Sequence, residues 1–245
     1  MHAFIIETFR LGIWLMILTA LFVPLERLFA LHPQKILRRQ LVTDLGYYFL
    51  NSLFIVLLLA IPMAALAAGL HRAMPSQLLA ALASLPLWAR LTLAFVVGEI
   101  GFYWGHRLAH EMPFLWRYHA VHHSTEQMDF LSNARAHPLD LVFTRLCGFA
   151  PIYALGLGGT ADHVGLMPLL LVSAGTIWGF FIHANIRWRF GIMENLLSTP
   201  AFHRWHHNFA DPININYASM LPCLDRLFGT YHCPKDKWPE RYGIE

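Results

Sequence analysis

Apolar residues along this chain gather into five stretches, at residues 3–23, 45–70, 85–104, 141–157 and 164–183, and most of the charge lies between them. About 20 mostly apolar residues carry a helix across the hydrocarbon core of a bilayer. The pattern therefore predicts an all-α, multi-pass membrane protein with about four to five transmembrane helices. The fourth stretch is short and predicts a helix with little tilt or an incomplete crossing. In the first stretch Glu7 and Arg10 sit near the start, where they can snorkel or pair. That stretch has no basic leading region and no small-residue cleavage site, so it reads as a retained anchor rather than a signal peptide.

Composition agrees with this reading: 56% of residues are hydrophobic and 13% charged, against about a quarter charged in soluble domains. The net charge of +3 gains meaning from its placement. Residues 24–44 hold Arg27, Lys35, Arg38 and Arg39, residues 105–140 hold Arg107, Arg117 and Arg135, and seven more basic residues follow His183. The intervening turns carry little beyond Arg72 and Arg90. By the positive-inside rule the N-terminus lies outside and the three basic segments face the cytoplasm. The positive balance is then orientation and contact with lipid headgroups, with no nucleic-acid partner implied. Cys147, Cys223 and Cys233 show no CxxC spacing, which offers neither a disulfide framework nor a zinc knuckle and fits polar parts facing a reducing compartment.

The 15 histidines equal Asp and Glu combined, although imidazole is costly to bury and unsuited to lipid. Apart from His163, those of the middle and late chain fall at the cytoplasmic ends of the spans. His106 and His110 are spaced i, i+4 and share a helix face where the third span ends. His119, His122 and His123 follow an i, i+3, i+4 pattern, which spreads over an arc of about 100°. His203, His206 and His207 repeat it, and His183 closes the fifth span. Imidazole suits iron, zinc, copper and nickel, and eight or nine such groups exceed what one ion can take, so two metal ions are implied. A zinc-protease HExxH is absent, because Phe114 stands where its second histidine would be, and no Glu has a His three residues later, as carboxylate di-iron bundles require.

These boxes, HRLAH at 106–110, HAVHHS at 119–124, FIHAN at 181–185, TPAFHRWHH at 199–207 and NYASMLPCLDRLFGTY at 216–231, resemble the membrane-bound fatty acid hydroxylase and sterol desaturase superfamily of non-haem di-iron oxygenases. The resemblance covers roughly residues 88–231. It implies a cytoplasmic di-metal cap holding two iron ions, with O2 as co-substrate, ligated by His106, His110, His119, His122, His123, His183, His203, His206 and His207. His137, in ARAHPLD, is a candidate further ligand or orienting group. It also implies an N-terminal transmembrane hairpin at 1–84, a catalytic domain at 85–233 and a C-terminal tail at 234–245. Phe202 and Asn208 depart from residues common in the last box, which puts the surroundings of those ligands in doubt.

The implied reaction is O2-dependent attack on an unactivated C–H bond of a membrane lipid, by hydroxylation, desaturation or oxidative ether cleavage. No flavin, NAD or haem module is legible, so electrons are expected from a separate ferredoxin- or cytochrome b5-like donor protein with its reductase. Arg117, Arg135, Arg187, Arg189 and Arg204 are candidate docking charges. Candidate acceptors for the imidazole N–H groups are Glu111, Glu126, Asp129, Asp140 and Asn185, each also readable as an ordinary solvated or capping residue. Asp225 and Arg226 read as structural, holding a C-terminal lid. Phe102, Tyr103, Trp104, Trp178, Phe180 and Phe181 lie near the ligands in sequence and are candidates for lining a lipid pocket. The competing reading is a non-catalytic membrane metal-binding protein, a carrier or sensor.

Overall fold

The computed structural model describes residues 2–158 and 166–244; His163 and the start of the fifth apolar stretch lie outside the described residues. Those residues form helices and connecting turns with isolated bridges and no strand. The helices are α1 (His2–Leu28), α2 (Leu41–Ala73), α3 (Ser76–Ala83), α4 (Leu87–Glu111), α5 (Pro113–His123), α6 (Pro138–Ala154), α7 (Leu166–His183), α8 (Pro200–His206) and α9 (Cys223–Leu227), with short 3₁₀ turns at Phe130–Ala134 and Gly191–Asn195. Each of the five apolar stretches thus has a helix. The short α3 between the second and third was not anticipated.

Among the described residues two segments are long and apolar enough to cross a membrane, Phe4–Leu28 and Leu41–Ala73. Both leave large apolar side chains bare, with Phe9 70% and Ile61 79% exposed, a surface that suits hydrocarbon rather than water. Each nevertheless keeps one inward stripe. On α2 the buried positions are Asp44, Tyr48, Asn51 and Ile55, spaced four, three and four apart, so they share one face. Leu18 and Phe22 of α1 and Tyr48 of α2 pack with Phe130, Leu131, Phe180, Ala184 and Ile186, which docks the hairpin against the first 3₁₀ turn and the end of α7.

Behind the hairpin, α4 and α6 approach with almost no side chain between them. A Cβ on Gly101 would lie 2.1 Å from the Cys147 carbonyl oxygen, and one on Gly105 would lie 2.7 Å from Cys147 Cβ. Glycine removes that obstacle and lets the backbones touch. α4 is also more polar than its apolar stretch suggested. Arg90 donates to the Gly156 carbonyl at 2.9 Å, and Glu99 accepts from the Met220 and Leu221 amides at 2.8 and 3.2 Å.

Gly101→Ala is expected to lower stability by about 1–3 kcal/mol, the usual cost of overpacking, seen as a lower midpoint of thermal unfolding in detergent. Gly12→Ala, on α1 with nothing within 4 Å of the added methyl, is expected not to lower it.

Candidate metal centre

The end of α4 carries His106 and His110. Helix α4 stops at Met112, whose ψ of 116° is extended, because the following Pro113 disfavours helical geometry in the residue before it. Pro113 then opens α5, where its missing N–H is no loss, and α5 presents His119, His122 and His123. Helix α7 ends on His183. Thr199 caps α8 by accepting from the Phe202 amide at 3.3 Å, Pro200 occupies the first turn, and His203, His206 and His207 follow.

These elements bring all nine histidines into two adjoining clusters. His106, His110, His119, His123 and His206 form one, and His122, His183, His203 and His207 the other, with the candidate ligand atoms in each within 4.8 Å of one another. The clusters meet where the rings of His123 and His207 stack at 4.3 Å and those of His122 and His207 lie 4.6 Å apart.

Acceptors behind the rings decide which nitrogen faces inward. His106 Nδ1 lies 2.7 Å from the Tyr217 carbonyl, His122 Nδ1 2.9 Å from the Arg135 carbonyl, His183 Nδ1 2.7 Å from the Gly179 carbonyl and His206 Nδ1 2.8 Å from the Ile215 carbonyl. A carbonyl can only accept, so each of these Nδ1 atoms carries the proton. His119 Nδ1 meets the Asp140 carboxylate at 3.0 Å in the same way, and His110 Nδ1 lies 3.3 Å from Asn214 Oδ1.

In the neutral ring the remaining Nε2 then bears only a lone pair. The His106 and His119 Nε2 atoms nevertheless face each other at 3.1 Å, and those of His122 and His183 at 3.2 Å. Two lone pairs at hydrogen-bond distance repel unless a cation lies between them. The Nε2 atoms of His110, His123 and His206 are buried without a hydrogen-bond partner. Protonation is a poor remedy: burial and the His119 ring push His122 down to about 4, and burial with neighbouring imidazoles pushes His123, His206 and His207 well below the ordinary value of 6.5. The donor set, neutral nitrogen backed by oriented acceptors, fits a pair of first-row transition-metal ions.

The sequence pattern of the fatty acid hydroxylase family matches residues 91–230, which include all nine histidines. The chain belongs to the fatty acid hydroxylase family. It is 38% identical over 152 residues to an ornithine lipid hydroxylase of Rhizobium tropici, covering 61% of this chain and 44% of that one. An alkylglycerol monooxygenase of Danio rerio is 37% identical over 147 residues, covering 59% and 31%. A methylsterol monooxygenase of Arabidopsis thaliana is 29% identical over 152 residues, covering 60% and 55%. The match thus spans less than half the length of the first two. No solved structure matches the chain significantly. Membership in a family of iron-dependent lipid hydroxylases, together with the two exposed apolar helices, marks a membrane protein with histidine clusters able to hold metal.

Several expectations about this fatty acid hydroxylase family member sort out on inspection. His137 stands outside both clusters; its Nδ1 accepts from the Leu139 amide at 3.1 Å and so caps α6. Of the five candidate acceptors, Asp140 meets a cluster histidine. Glu111 pairs with Arg107, Asp129 with Arg38, and Asn185 is spent on His32 and Arg204. The Glu126 amide hydrogen-bonds the Gln40 side chain. Arg135 and Arg204 are buried and are not docking charges: the first pairs with Asp44, and the second donates to Tyr242 Oη and the Met128 and Ala184 carbonyls. Arg189 pairs with Glu194, whereas Arg117 and Arg187 are exposed. Tyr103 and Phe180 are core, the first packed with Tyr217 and Phe228 and the second with the docked hairpin, while Phe102 lies 5.4 Å from the His106 ring.

What the motifs did not reveal is the orienting role of residues 215 and 217, the second inside the last box, whose carbonyls hold His206 and His106. Asp225 fixes this backbone by accepting from the Tyr217 and Ala218 amides at 2.7 and 2.9 Å, so the structural reading of that aspartate stands and extends to the site.

Imidazoles held below 6.5 in the fold take up fewer protons than in the unfolded chain, so the stability they permit is present above 6.5 and is lost as pH falls toward about 4. Metal-free protein in detergent is expected to show a thermal midpoint that drops between pH 6.5 and 4.5; a flat profile there would contradict neutral clusters.

Proposed function

We propose that this protein is a membrane-bound, O2-dependent non-haem di-iron oxidoreductase that hydroxylates or desaturates a C–H bond of a lipid. The observation that carries this reading is the pair of adjoining all-histidine clusters with paired lone pairs facing inward. His106, His110, His119, His123 and His206 would hold one iron, and His122, His183, His203 and His207 the other. When bound, the irons would supply O2 activation. The chain's own contribution is to bury the imidazoles and to fix six of the nine rings through their Nδ1 hydrogen bonds.

A lipid substrate is supported by the relatives, whose names specify an ornithine lipid, an alkylglycerol and a methylsterol, and by the apolar helices beside the site. In this reading the hairpin of residues 1–84 anchors a catalytic unit at 85–233, with 234–245 as a tail. Four to five helices cross the bilayer, and the basic segments hold the metal site at the cytoplasmic face. Electrons come from a separate ferredoxin- or cytochrome b5-like protein and its reductase, for which exposed Arg117 and Arg187 are the remaining docking charges.

Purified protein is expected to carry about two irons per chain with no Soret band. A host supplied with O2 and a reductant partner is expected to accumulate an oxidised or desaturated lipid when it expresses the chain, and none with His206→Ala. Metal bound without any lipid difference between the two would instead favour a carrier or sensor.

A further inference from the structure

The two clusters are oriented by different parts of the chain. In the cluster of five, the Nδ1 contacts run to Tyr217, Asn214, Asp140 and Ile215, all inside the family-matched residues 91–230. In the cluster of four, His183 is held by the Gly179 carbonyl of its own helix and His122 by the Arg135 carbonyl, and much of the support for the Arg135 peptide comes from outside the matched region.

Arg135 lies in a short extended stretch between the 3₁₀ turn and α6, with φ −72° and ψ 94°. Successive carbonyls of extended backbone point to opposite sides. On one side Asn51 of α2 donates to the carbonyls of Ala134 and Ala136, at 3.2 and 2.9 Å. On the other side the Arg135 carbonyl faces His122. The Arg135 guanidinium is tied to Asp44, one face-repeat earlier on α2, at 2.5 Å. Asp44 also pairs with Arg38, which holds Asp129, the cap of the 3₁₀ turn, at 2.6 Å. Helix α1 adds a second tie, because Glu26 accepts from the amides of Phe130 and Asn185 at 2.8 Å each, and Asn185 follows His183 by two residues. The Nε2 atoms of His122 and His183 face each other, and that of His203 faces the Nε2 of His183 in turn.

We infer that Asp44 and Asn51 of the membrane hairpin are positioning residues for the four-histidine metal site, acting through the Arg135 peptide on His122. The inference rests on the two-metal reading above. Removing a direct partner of a ligand histidine costs about 10–100-fold in metal affinity, which sets the upper bound for residues that act through the Arg135 peptide, and here the loss falls on one ion.

The test is titration of the full chain in detergent with Co(II), following the visible absorption and the metal retained per chain. The wild-type chain is expected to take up two ions. Asp44→Asn and Asn51→Ser should each weaken one of them, by up to about 10–100-fold, and leave the other unchanged, so that the ion retained reports an intact fold. Added to His203→Ala, Asp44→Asn should remove nothing more; added to Asp140→Asn, which disturbs the other cluster through His119, it should weaken both. Asn51→Ser leaves the ion network whole and decides the matter if Asp44→Asn does not fold. Two tightly held ions in both variants, or equal weakening of both ions in Asn51→Ser, overturns the inference while the two-metal reading survives. Fewer than two ions in the wild-type chain removes that reading, and this inference with it.

Discussion

Nine imidazoles are buried side by side, and the proton on each ring decides whether that is tolerable. A charged imidazole has little place there, since burial and neighbouring imidazoles drive His122, His123, His206 and His207 toward the neutral form. A neutral one still needs an acceptor for its N–H. The fold meets this demand by placing a backbone carbonyl or a side-chain oxygen behind six of the rings, and the tautomers follow. Once Nδ1 is committed outward, the Nε2 lone pairs have nowhere to point but toward one another. The resulting repulsion is what a pair of metal ions would relieve, so the same geometry that makes the metal-free site costly would make a loaded site favourable.

Much of the remaining architecture serves to put those acceptors in place. Asp225 clamps residues 217 and 218 so that the Tyr217 carbonyl reaches His106. Glu99, inside a helix that reads as an apolar span, is spent on the amides of Met220 and Leu221 just beyond. The glycines at 101 and 105 bring α6 against α4, and with it Asp140 within 3.0 Å of His119. Polar groups in an apolar chain are costly unless paired, and here the pairing doubles as positioning.

The histidines were legible because their chemistry is concentrated in side chains at helical spacing: an i, i+3, i+4 cluster announces a shared face whatever surrounds it. Their division into five and four was not, since His122 and His123 are neighbours in sequence yet join different clusters, and only the packing of α7 and α8 around α5 separates them. Nor were most of the acceptors, because a carbonyl at Tyr217, Ile215 or Arg135 leaves no mark on residue identity. Acidic residues drew attention instead, and Glu111 and Asp129 proved to be partners of arginines. Arg135 and Arg204 show the same limit from the other side. Counted as surface charge, they are buried struts, and nothing local distinguishes them from Arg117. Five helices were readable from apolarity, but α4, with Arg90 and Glu99 turned inward, shows that apolarity alone does not separate a lipid-facing helix from the spine of a site.

The hairpin presses the point further. A helix whose only task is to anchor could be apolar all round, and an ionised side chain in it would be a liability. Helix α2 instead carries Asp44 and Asn51 seven residues apart, two turns along a single buried stripe, while also leaving large apolar side chains exposed. The stripe meets the stretch of backbone that connects the 3₁₀ turn to α6: Asn51 donates to two of its carbonyls, and Asp44 pairs with the arginine within it as well as with Arg38. Displacing α2 would strand a buried carboxylate and a buried amide without those partners, which costs free energy, so the helix is held in the register that supports His122.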